Sequence, residues 1–342
     1  KNILILILLF SLGYAQKESL SLDDCIQIAL TNKEALKASA LDLESSRQSV
    51  KGSYSNILPS LILSGSLSES SFPQQEGGYN PTTGEITLGS ISNLKSSSAG
   101  ISLSQNIYDG GRWWNNIAQS KNNYKITEQF NRQVKTNIIR EVHRNYFNYL
   151  KSLQLLDVSQ SNLNSSQQQL ALTKQRFDLG SARKTDLLKA EVRYGQARVD
   201  VVNNEAVLNN AFLSLKNAMG IVRTSRDFIV NDDVFFLDTI PNFENAFESI
   251  QKYNPSVLAK KNQITNAEFN EKLAKGSRLP NISATASYSG NSEDFQSLSD
   301  EWDQNWRMNT SLSFSVPIYT GNTLSTTIQQ AKLNVRKQES EY

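Results

Sequence analysis

Residues 142–179 are VHRNYFNYLKSLQLLDVSQSNLNSSQQQLALTKQRFDL, with a large apolar side chain at every seventh position. This seam comprises Val142, Tyr149, Leu156, Leu163, Leu170 and Phe177, and Tyr146 and Leu153 begin a second seam position. A seven-residue apolar repeat predicts a helix that packs along its length against another helix. Because residues 112–179 contain no proline and no glycine, we expect one continuous helix of about 100 Å.

The next segment, residues 185–219, repeats this spacing. Its apolar seam is Leu187, Tyr194, Val201, Leu208 and Leu215, and its second seam is Ala190, Ala197, Ala211 and Ala218, interrupted by Asn204. Alanine lets a neighbouring helix approach closely, and the other positions are mostly polar. A narrow seam with polar flanks is typical of a coiled coil or a hollow helical barrel. Further helices are predicted over 22–57 and 243–278.

Four segments alternate apolar side chains with small hydroxyl side chains: 61–68, 98–107, 282–289 and 311–318. Successive side chains of a strand point to opposite faces, and charges are nearly absent here. Segments of about 10 such residues are typical of transmembrane barrel strands, with a secreted β-sandwich as the alternative. We expect lipid to meet Ile101, Leu103, Phe314 and Val316, and the lumen to be lined by Ser102, Ser104, Ser313 and Ser315.

The strands form two pairs, joined by residues 72–95 and 290–307, both of which we expect to be polar loops at the cell exterior. The second contains Glu293, Asp294, Asp300, Glu301, Trp302 and Asp303. Four strands cannot close a barrel, because small barrels need about 8. An open edge in lipid would leave backbone groups unpaired. Strands of this kind in a membrane therefore require several copies of the chain to share one barrel.

The remaining composition argues against several functional classes. Residues 1–15 have the pattern of a secretory signal peptide. The 35 basic and 33 acidic side chains nearly balance, which argues against nucleic acid as a partner. His143 is the only histidine, so a two-histidine metal site is impossible, and no catalytic or cofactor motif accompanies it. We expect no enzyme, no cofactor and no metal, and a packing role for the single cysteine, Cys25.

The chain also contains an internal duplication. Residues 57–61 (ILPSL) resemble 278–282 (RLPNI) at an offset of 280 − 59 = 221, and residues 106–110 (NIYDG) resemble 317–321 (PIYTG) at 319 − 108 = 211. Repeats of this kind dictate an architecture. We expect a first repeat over 16–220, a linker over 221–242 and a second repeat over 243–342 that is truncated within its long helix, with about 90 further residues needed to complete it.

The two seamed helices are joined by a turn at Gly180. Glycine can adopt the left-handed conformation that ends a helix, and Ser181, Thr185 or Asp186 can cap the helix that follows. A plain structural turn explains these residues equally well. If the preceding helix is straight, the turn lies about 100 Å from the strands and is the end that a periplasmic partner would meet.

This order of elements resembles the TolC-type outer-membrane efflux family, the outer-membrane component of tripartite efflux or type I secretion systems. Local matches are LSLDDCIQIAL at 20–30, YDGGR at 108–112, FDLG at 177–180 and DLL at 186–188. The resemblance implies a mixed α/β membrane protein in the outer membrane: a homotrimer with a 12-stranded barrel and a periplasmic barrel of helices.

The resemblance also implies where partners bind. A periplasmic adaptor and an inner-membrane pump would meet the hairpin turn, whose tip residues are Phe177, Leu179, Gly180, Ser181, Thr185, Asp186 and Leu187. Asp186 is the candidate pore gate. A trimeric coiled-coil surface adhesin, or another structural outer-membrane protein, is the alternative function. Such adhesins place one barrel at one end of the chain, whereas here strand pairs alternate with helices twice. The residues do not identify the exported substrate.

Overall fold

The computed structural model describes residues 18–71, 82–84, 93–221, 228–231 and 242–342. The predicted signal peptide, most of the loop 72–95 and most of the predicted linker lie outside the described residues. The chain divides into two compact units, Lys1–Asp42 with Glu128–Ser256 and Leu43–Thr127 with Val257–Tyr342. Within the described part of the chain, every helix is too short or too polar to cross a membrane.

The described residues combine long helices with a small number of strands. The helices are α1 (Leu22–Asn32), α2 (Glu34–Ser53), α3 (Arg112–Asp178), α4 (Lys184–Ala218), α5 (Phe243–Tyr253), α6 (Pro255–Gly276), α7 (Phe295–Asp300), α8 (Trp302–Asn305) and α9 (Thr323–Glu341). The strands are β1 (Glu18–Leu20), β2 (Ser60–Ser71), β3 (Asn93–Tyr108), β4 (Phe228–Val230), β5 (Asn281–Ser292) and β6 (Trp306–Ser315). The predicted mixed helix and strand content is confirmed.

In the first unit, α1 packs into a core with α3, α4 and the parallel pair β1–β4. Ser21 begins α1 with a capping box: its hydroxyl accepts a hydrogen bond from the Asp24 amide, and the Asp24 carboxylate accepts one from the Ser21 amide. The buried apolar residues of this core are Leu20, Cys25, Ala29, Ile138, Val142, Tyr146, Leu150, Leu215, Ala218, Met219, Phe228 and Val230. The expected packing role of Cys25 is therefore confirmed.

The helices predicted over 22–57 and 243–278 are each broken near their start. Lys33 is extended between α1 and α2, and its ammonium group reaches the Asn217 carbonyl at 3.0 Å and Glu141 at 3.4 Å. Asn254 is extended between α5 and α6, and Pro255 begins α6. Proline suits the first position of a helix because its missing N–H would have no partner there. Single uninterrupted helices were therefore the wrong prediction.

Element boundaries recur at fixed intervals along the chain. The first residues of α1 and α5 differ by 243 − 22 = 221, those of α2 and α6 by 255 − 34 = 221, and those of β2 and β5 by 281 − 60 = 221. The first residues of α3 and α9 differ by 323 − 112 = 211. These are the two offsets found between the matching sequence motifs.

The long helices of the hairpin follow the predicted boundaries within one residue, and the seams of α4 are confirmed by its buried residues. The second seam of α3 follows the prediction at Tyr146, which is 1% exposed, but differs from it at the next position. Ser152 is 3% exposed, whereas Leu153 is 40% exposed and faces outward. Ser152 is followed at seven-residue intervals by Ser159, half-buried Ser166 and Thr173. Small side chains thus occupy much of the second seam of both helices.

The second unit contains an antiparallel sheet with the strand order β2-β3-β5-β6. Directly paired residues share a face, which sorts the side chains into rows across the sheet. Apolar-face rows are Leu63, Ile101, Tyr288 and Met308; Leu61, Leu103, Ala286 and Thr310; and Gly65, Ala99, Gly290 and Trp306. Opposite-face rows are Ser60, Ser104, Thr285 and Ser311; Ile62, Ser102, Ser287 and Asn309; and Ser64, Gly100, Ser289 and Arg307. The predicted alternation therefore exists across all four strands.

Two boundaries in the sheet differ from the sequence prediction. The fourth strand was predicted over 311–318, but β6 ends at Ser315, so Val316 lies outside the sheet. Pro317 follows, and proline has no N–H to donate to a neighbouring strand. The segment 290–307, predicted as a polar loop, contains the end of β5, helices α7 and α8, and the start of β6.

Candidate functional site

The turn between α3 and α4 is a tightly hydrogen-bonded helix end. Gly180 has φ +77°, the left-handed conformation in which side chains other than glycine are strained. The Gly180 amide donates to the Phe177 carbonyl at 2.9 Å, and the Ser181 amide donates to the Arg176 carbonyl at 2.8 Å. This bond pair is the Schellman motif that ends many helices. The prediction that Gly180 ends the helix is confirmed.

The start of α4 differs from the prediction, because Ser181, Thr185 and Asp186 do not cap it. Its N-cap is Arg183, which makes no side-chain capping bond. The Ser181 hydroxyl instead donates to the Arg176 carbonyl at 2.9 Å and so belongs to the end of α3. Asp186 lies in the first turn of α4, where a carboxylate interacts favourably with the helix dipole.

All seven predicted tip residues lie on this one turn and its flanking helix ends. Phe177 and Leu187 are half-buried, and the other five are exposed. Leu179 stands out because it is apolar and 76% exposed. The turn thus presents an apolar side chain, hydroxyls and a carboxylate side by side, a combination that suits contact with another protein. Their role in docking or gating stays a prediction.

The hydroxyl face of the sheet is bonded within itself. Ser60 and Ser104 lie 2.7 Å apart, Ser66 and Ser98 lie 2.8 Å apart, and Thr285 and Ser311 lie 2.7 Å apart, each through side-chain oxygens. Each pair joins two strands by a hydroxyl–hydroxyl hydrogen bond. The side chains of this face are therefore mostly small and polar, and these three pairs satisfy part of their own hydrogen bonding. Such side chains suit the wall of a water-filled passage.

The opposite face of the sheet exposes large apolar side chains. Its most exposed members are Leu61, Leu63, Leu67, Met308, Leu312 and Phe314, with Leu63 reaching 80% exposure. Patches of exposed apolar surface this extensive mark a site of contact with protein or membrane.

The second unit changes from sheet to helix at Tyr108–Arg112, where the sequence is YDGGR. The Asp109 carboxylate accepts a hydrogen bond from the Trp113 amide at 2.9 Å, and the Arg112 Nε donates to the Asp109 carbonyl at 2.8 Å. The Trp113 and Trp114 rings meet edge to face at 6.0 Å. Trp114 is exposed, whereas Trp113 is half-buried.

In the described ranges, no group of three His, Cys, Asp or Glu residues is placed to hold a metal ion. His143 is half-buried, with its ring 6.4 Å from that of Phe147. The sequence interpretation did miss two other features. In the sequence, the serine seam of α3 is visible as hydroxyl side chains spaced by seven residues. The helical segment α7–α8 is indicated by Leu298 and Trp302, which are spaced by four residues.

Comparison with known proteins identifies the family. Residues 25–221 match the family described as outer membrane efflux protein. The chain is 27% identical over 318 residues to outer membrane protein TolC of Escherichia coli K12, covering 90% of this chain and 61% of that protein. It is 22% identical over 354 residues to the proteases secretion protein PrtF of Dickeya chrysanthemi, covering 100% of this chain and 73% of that protein.

A solved structure has the same fold. The Campylobacter jejuni CmeC outer membrane channel superimposes with a TM-score of 0.76 at 19% identity, covering 94% of this chain and 66% of that chain. The present chain spans about three fifths of the length of TolC, 61%. Because the family match covers 197 of 342 residues (221 − 25 + 1 = 197), more than half of the chain, this protein belongs to the outer membrane efflux protein family and is an outer-membrane protein.

Proposed function

We propose that this chain is one subunit of an outer-membrane channel that conducts substrates from a periplasmic adaptor and an inner-membrane pump to the cell exterior. The observation that carries this proposal is the two-faced sheet, with exposed large apolar side chains on one face and hydroxyls bonded to each other on the other. Lipid suits the first face and water suits the second. Membership of a transport family agrees with this function and argues against the adhesin alternative and against an enzyme.

The proposed assembly is a homotrimer. In the described sheet, β2 and β6 each pair with a neighbour on one side only. An unpaired strand edge in lipid carries a large energetic cost, since its N–H and C=O groups have no water to bond. Pairing of β2 with β6 of the next copy satisfies both edges, and three copies give 3 × 4 = 12 strands in one closed barrel.

The hairpin supports the same assembly. Its seams face between α3 and α4, yet other apolar side chains of the two helices are exposed, namely Leu155, Val158, Val192, Val199 and Val202. Side-by-side hairpins from neighbouring copies would cover these residues, as expected for a barrel of helices. In this arrangement the helices extend into the periplasm, away from the membrane.

The duplication belongs to the same proposal, with repeats over 16–220 and 243–342 and a linker over 221–242. It is supported by the intervals of 221 and 211 residues between corresponding element boundaries. The breaks at Lys33 and Asn254 support it independently of the matching motifs, because they too differ by 254 − 33 = 221.

The proposed docking site is the turn formed by Phe177, Leu179, Gly180, Ser181, Thr185, Asp186 and Leu187. Exposed Leu179 would contact the adaptor, and three copies of Asp186 around the trimer axis would form a ring of carboxylates that gates the pore. The proposed channel suits both efflux and protein secretion. The related protein PrtF is named for the secretion of proteases, whereas the family itself is named for efflux.

The experiment is native mass measurement and planar-bilayer recording of the purified full-length protein in detergent. We expect trimers and stepwise single-channel conductance. To test the strand edges, Leu63→Cys of β2 is combined in turn with Met308→Cys, Leu312→Cys or Phe314→Cys of β6 in a Cys25→Ser background, because closing a barrel of tilted strands staggers one edge against the other. Each double variant is treated with a short bifunctional thiol reagent. Covalent dimers and trimers are expected only from double variants, with each single variant as a control. A stable monomer that inserts in membranes without conductance would overturn the proposal.

A further inference from the structure

The segment that connects β5 to β6 packs on the apolar face of the sheet. Gly290 shares an apolar-face row with Ala99, and a Cβ added at Gly290 would lie 2.5 Å from the Trp302 ring of α8. Leu298 of α7 and Ser97 of β3, which also belongs to this face, are both 3% exposed. The two short helices therefore cover the loop end of the apolar face and leave its centre uncovered.

Aromatic rings fix this segment to the sheet. The Trp302 indole Nε1 donates a hydrogen bond to the Tyr288 hydroxyl at 2.9 Å. The Tyr288 ring lies 5.7 Å from the Trp302 ring and 5.4 Å from the Trp306 ring, measured between centroids. Rings with an apolar body and a polar hydrogen-bonding group are favoured where hydrocarbon meets water. This aromatic cluster thus has the chemistry of a membrane-interface belt.

The exposed surface of the same segment is acidic. Residues 293–305 include the exposed carboxylates Glu293, Asp294, Asp300, Glu301 and Asp303 and contain no lysine or arginine. Charged side chains are strongly disfavoured within hydrocarbon. The segment can therefore rest on the membrane surface with its apolar side toward the sheet, but it cannot sink into the bilayer.

The position of the segment along the strands agrees with this placement. On β5, the row of Ile282 and Phe314 is separated from the row of Gly290 by 290 − 282 = 8 residues. Eight residues of strand span about 27 Å, or about 20 Å along the membrane normal at a tilt of about 40°. An apolar band of barrel strands is about 25 Å tall, so α7–α8 lies at its upper limit.

We propose that α7–α8 is an interfacial anchor that lies on the outside of the barrel, against the lipid surface, and is not a lid over the pore. This inference rests on the proposed function, because it requires the apolar face to be immersed in lipid. The partner is the headgroup region of the bilayer, contacted through Trp302, Trp306 and exposed Phe295. Its effect is to set how deeply the barrel sits in the membrane.

Depth-dependent fluorescence quenching in vesicles tests this placement with the full-length protein. Trp113, Trp114 and Trp306 are replaced by phenylalanine, which leaves Trp302 as the reporter among the tryptophans of residues 1–342. We expect phosphatidylcholine brominated near the headgroup to quench Trp302 more strongly than lipid brominated near the chain end. A second variant replaces all four tryptophans and adds Leu312→Trp at the centre of the apolar face, where deep bromines should quench more strongly.

The outcomes separate the inference from the proposed function. If Leu312→Trp is quenched by lipid but Trp302 is not, the anchor is overturned while the membrane barrel stands. If neither is quenched, the proposed membrane barrel itself fails. Should the tryptophan replacements prevent folding, a spin label at Ser299→Cys in a Cys25→Ser background provides the same information. An anchor gives an oxygen accessibility typical of the interface, whereas a lid gives full accessibility to a water-soluble nickel complex.

Discussion

Gly110 lies so close to Gly276 that a Cβ added at Gly110 would collide with the Gly276 carbonyl oxygen and come within 3.0 Å of the Leu279 Cβ. Gly110 also has φ +76°. The end of α6 and the start of α3 thus approach at a point where only glycine fits, within the YDGGR motif.

We therefore expect Gly110→Ala to lower the free energy of unfolding by about 1–2 kcal/mol for the left-handed backbone and by about 1–3 kcal/mol more for the overpacking. Gly111→Ala is the matched control, because Gly111 has φ +75° but open space around it and should show only the backbone cost. Denaturant unfolding of both variants measures the difference. Equal losses would show that the close approach has no energetic effect.

The second seam of α3 gives another comparison between neighbouring residues. Ser152→Leu should destabilise the hairpin by about 1–3 kcal/mol, because a buried serine seam has no room for leucine. Leu153→Ala removes a side chain that faces outward and should cost much less in the isolated subunit. Thermal unfolding of the two variants distinguishes the seams. A larger loss of stability for Leu153→Ala than for Ser152→Leu would instead support the seam predicted from the sequence.

Arginine substitution tests the two faces of the sheet at adjacent residues. Leu103→Arg places a charge on the apolar face and should cost about 2–4 kcal/mol near the bilayer midplane. Ser104→Arg places the same charge on the hydroxyl face, where water solvates it, and should cost much less. The measurement is reversible folding into lipid vesicles in urea. Similar costs for both variants would contradict immersion of one face in lipid.

Asp186 has no capping bond to lose, so its charge can be tested almost independently of the fold. Asp186→Asn should lower stability by less than about 1 kcal/mol, the size of a first-turn helix-dipole interaction. If three copies of Asp186 gate the pore, the same change should reduce cation selectivity in single-channel recordings. Gly180→Val is the structural control, with an expected loss of about 1–2 kcal/mol from its left-handed backbone. Unchanged selectivity of Asp186→Asn would remove the gate role.

Burial of the Cys25 thiol raises its pKa from 9.0 to about 12, and the nearby Asp24 charge adds to this shift. The unfolded chain releases this proton near pH 9.0, whereas the folded chain keeps it to about pH 12. The protonated Cys25 thiol therefore makes its full contribution to the free energy of unfolding below pH 9.0. That contribution is lost as the pH rises toward 12. We expect maleimide to react with Cys25 at neutral pH only in denaturant, whereas exposed Ser181→Cys should react in the folded protein.

Periodicity was the most reliable guide in this sequence, because a long helix and a two-faced strand each repeat a simple spacing. The seams of α4 and the alternation of β3 and β5 follow directly from it. The α3 seam at Ser152 was missed because serine is polar, and its burial depends on the hydroxyl donating to the Asn148 carbonyl within the same helix, at 2.8 Å.

Features that depend on tertiary contact were the ones that the sequence did not predict. The break at Lys33 contains neither proline nor glycine, and its position depends on contacts with Glu141 and Asn217. Of the two helix breaks, only the one at Asn254 has a local sequence signal, which is the proline that follows it, Pro255. The acidic residues of this segment suggested a loop, whereas α7 and α8 pack on the sheet, with Trp302 against Gly290.

The hydroxyl face of the sheet has a consequence for selectivity. Among the described residues of β2, β3, β5 and β6, it carries a single formal charge, that of Arg307. Three pairs of its serine and threonine hydroxyls bond to each other across the strands, and most of its other side chains are small and uncharged. In the proposed channel, such a wall interacts only weakly with cations, anions and unfolded chains. Discrimination between cargoes therefore depends on the helical end and on the protein that delivers the cargo there.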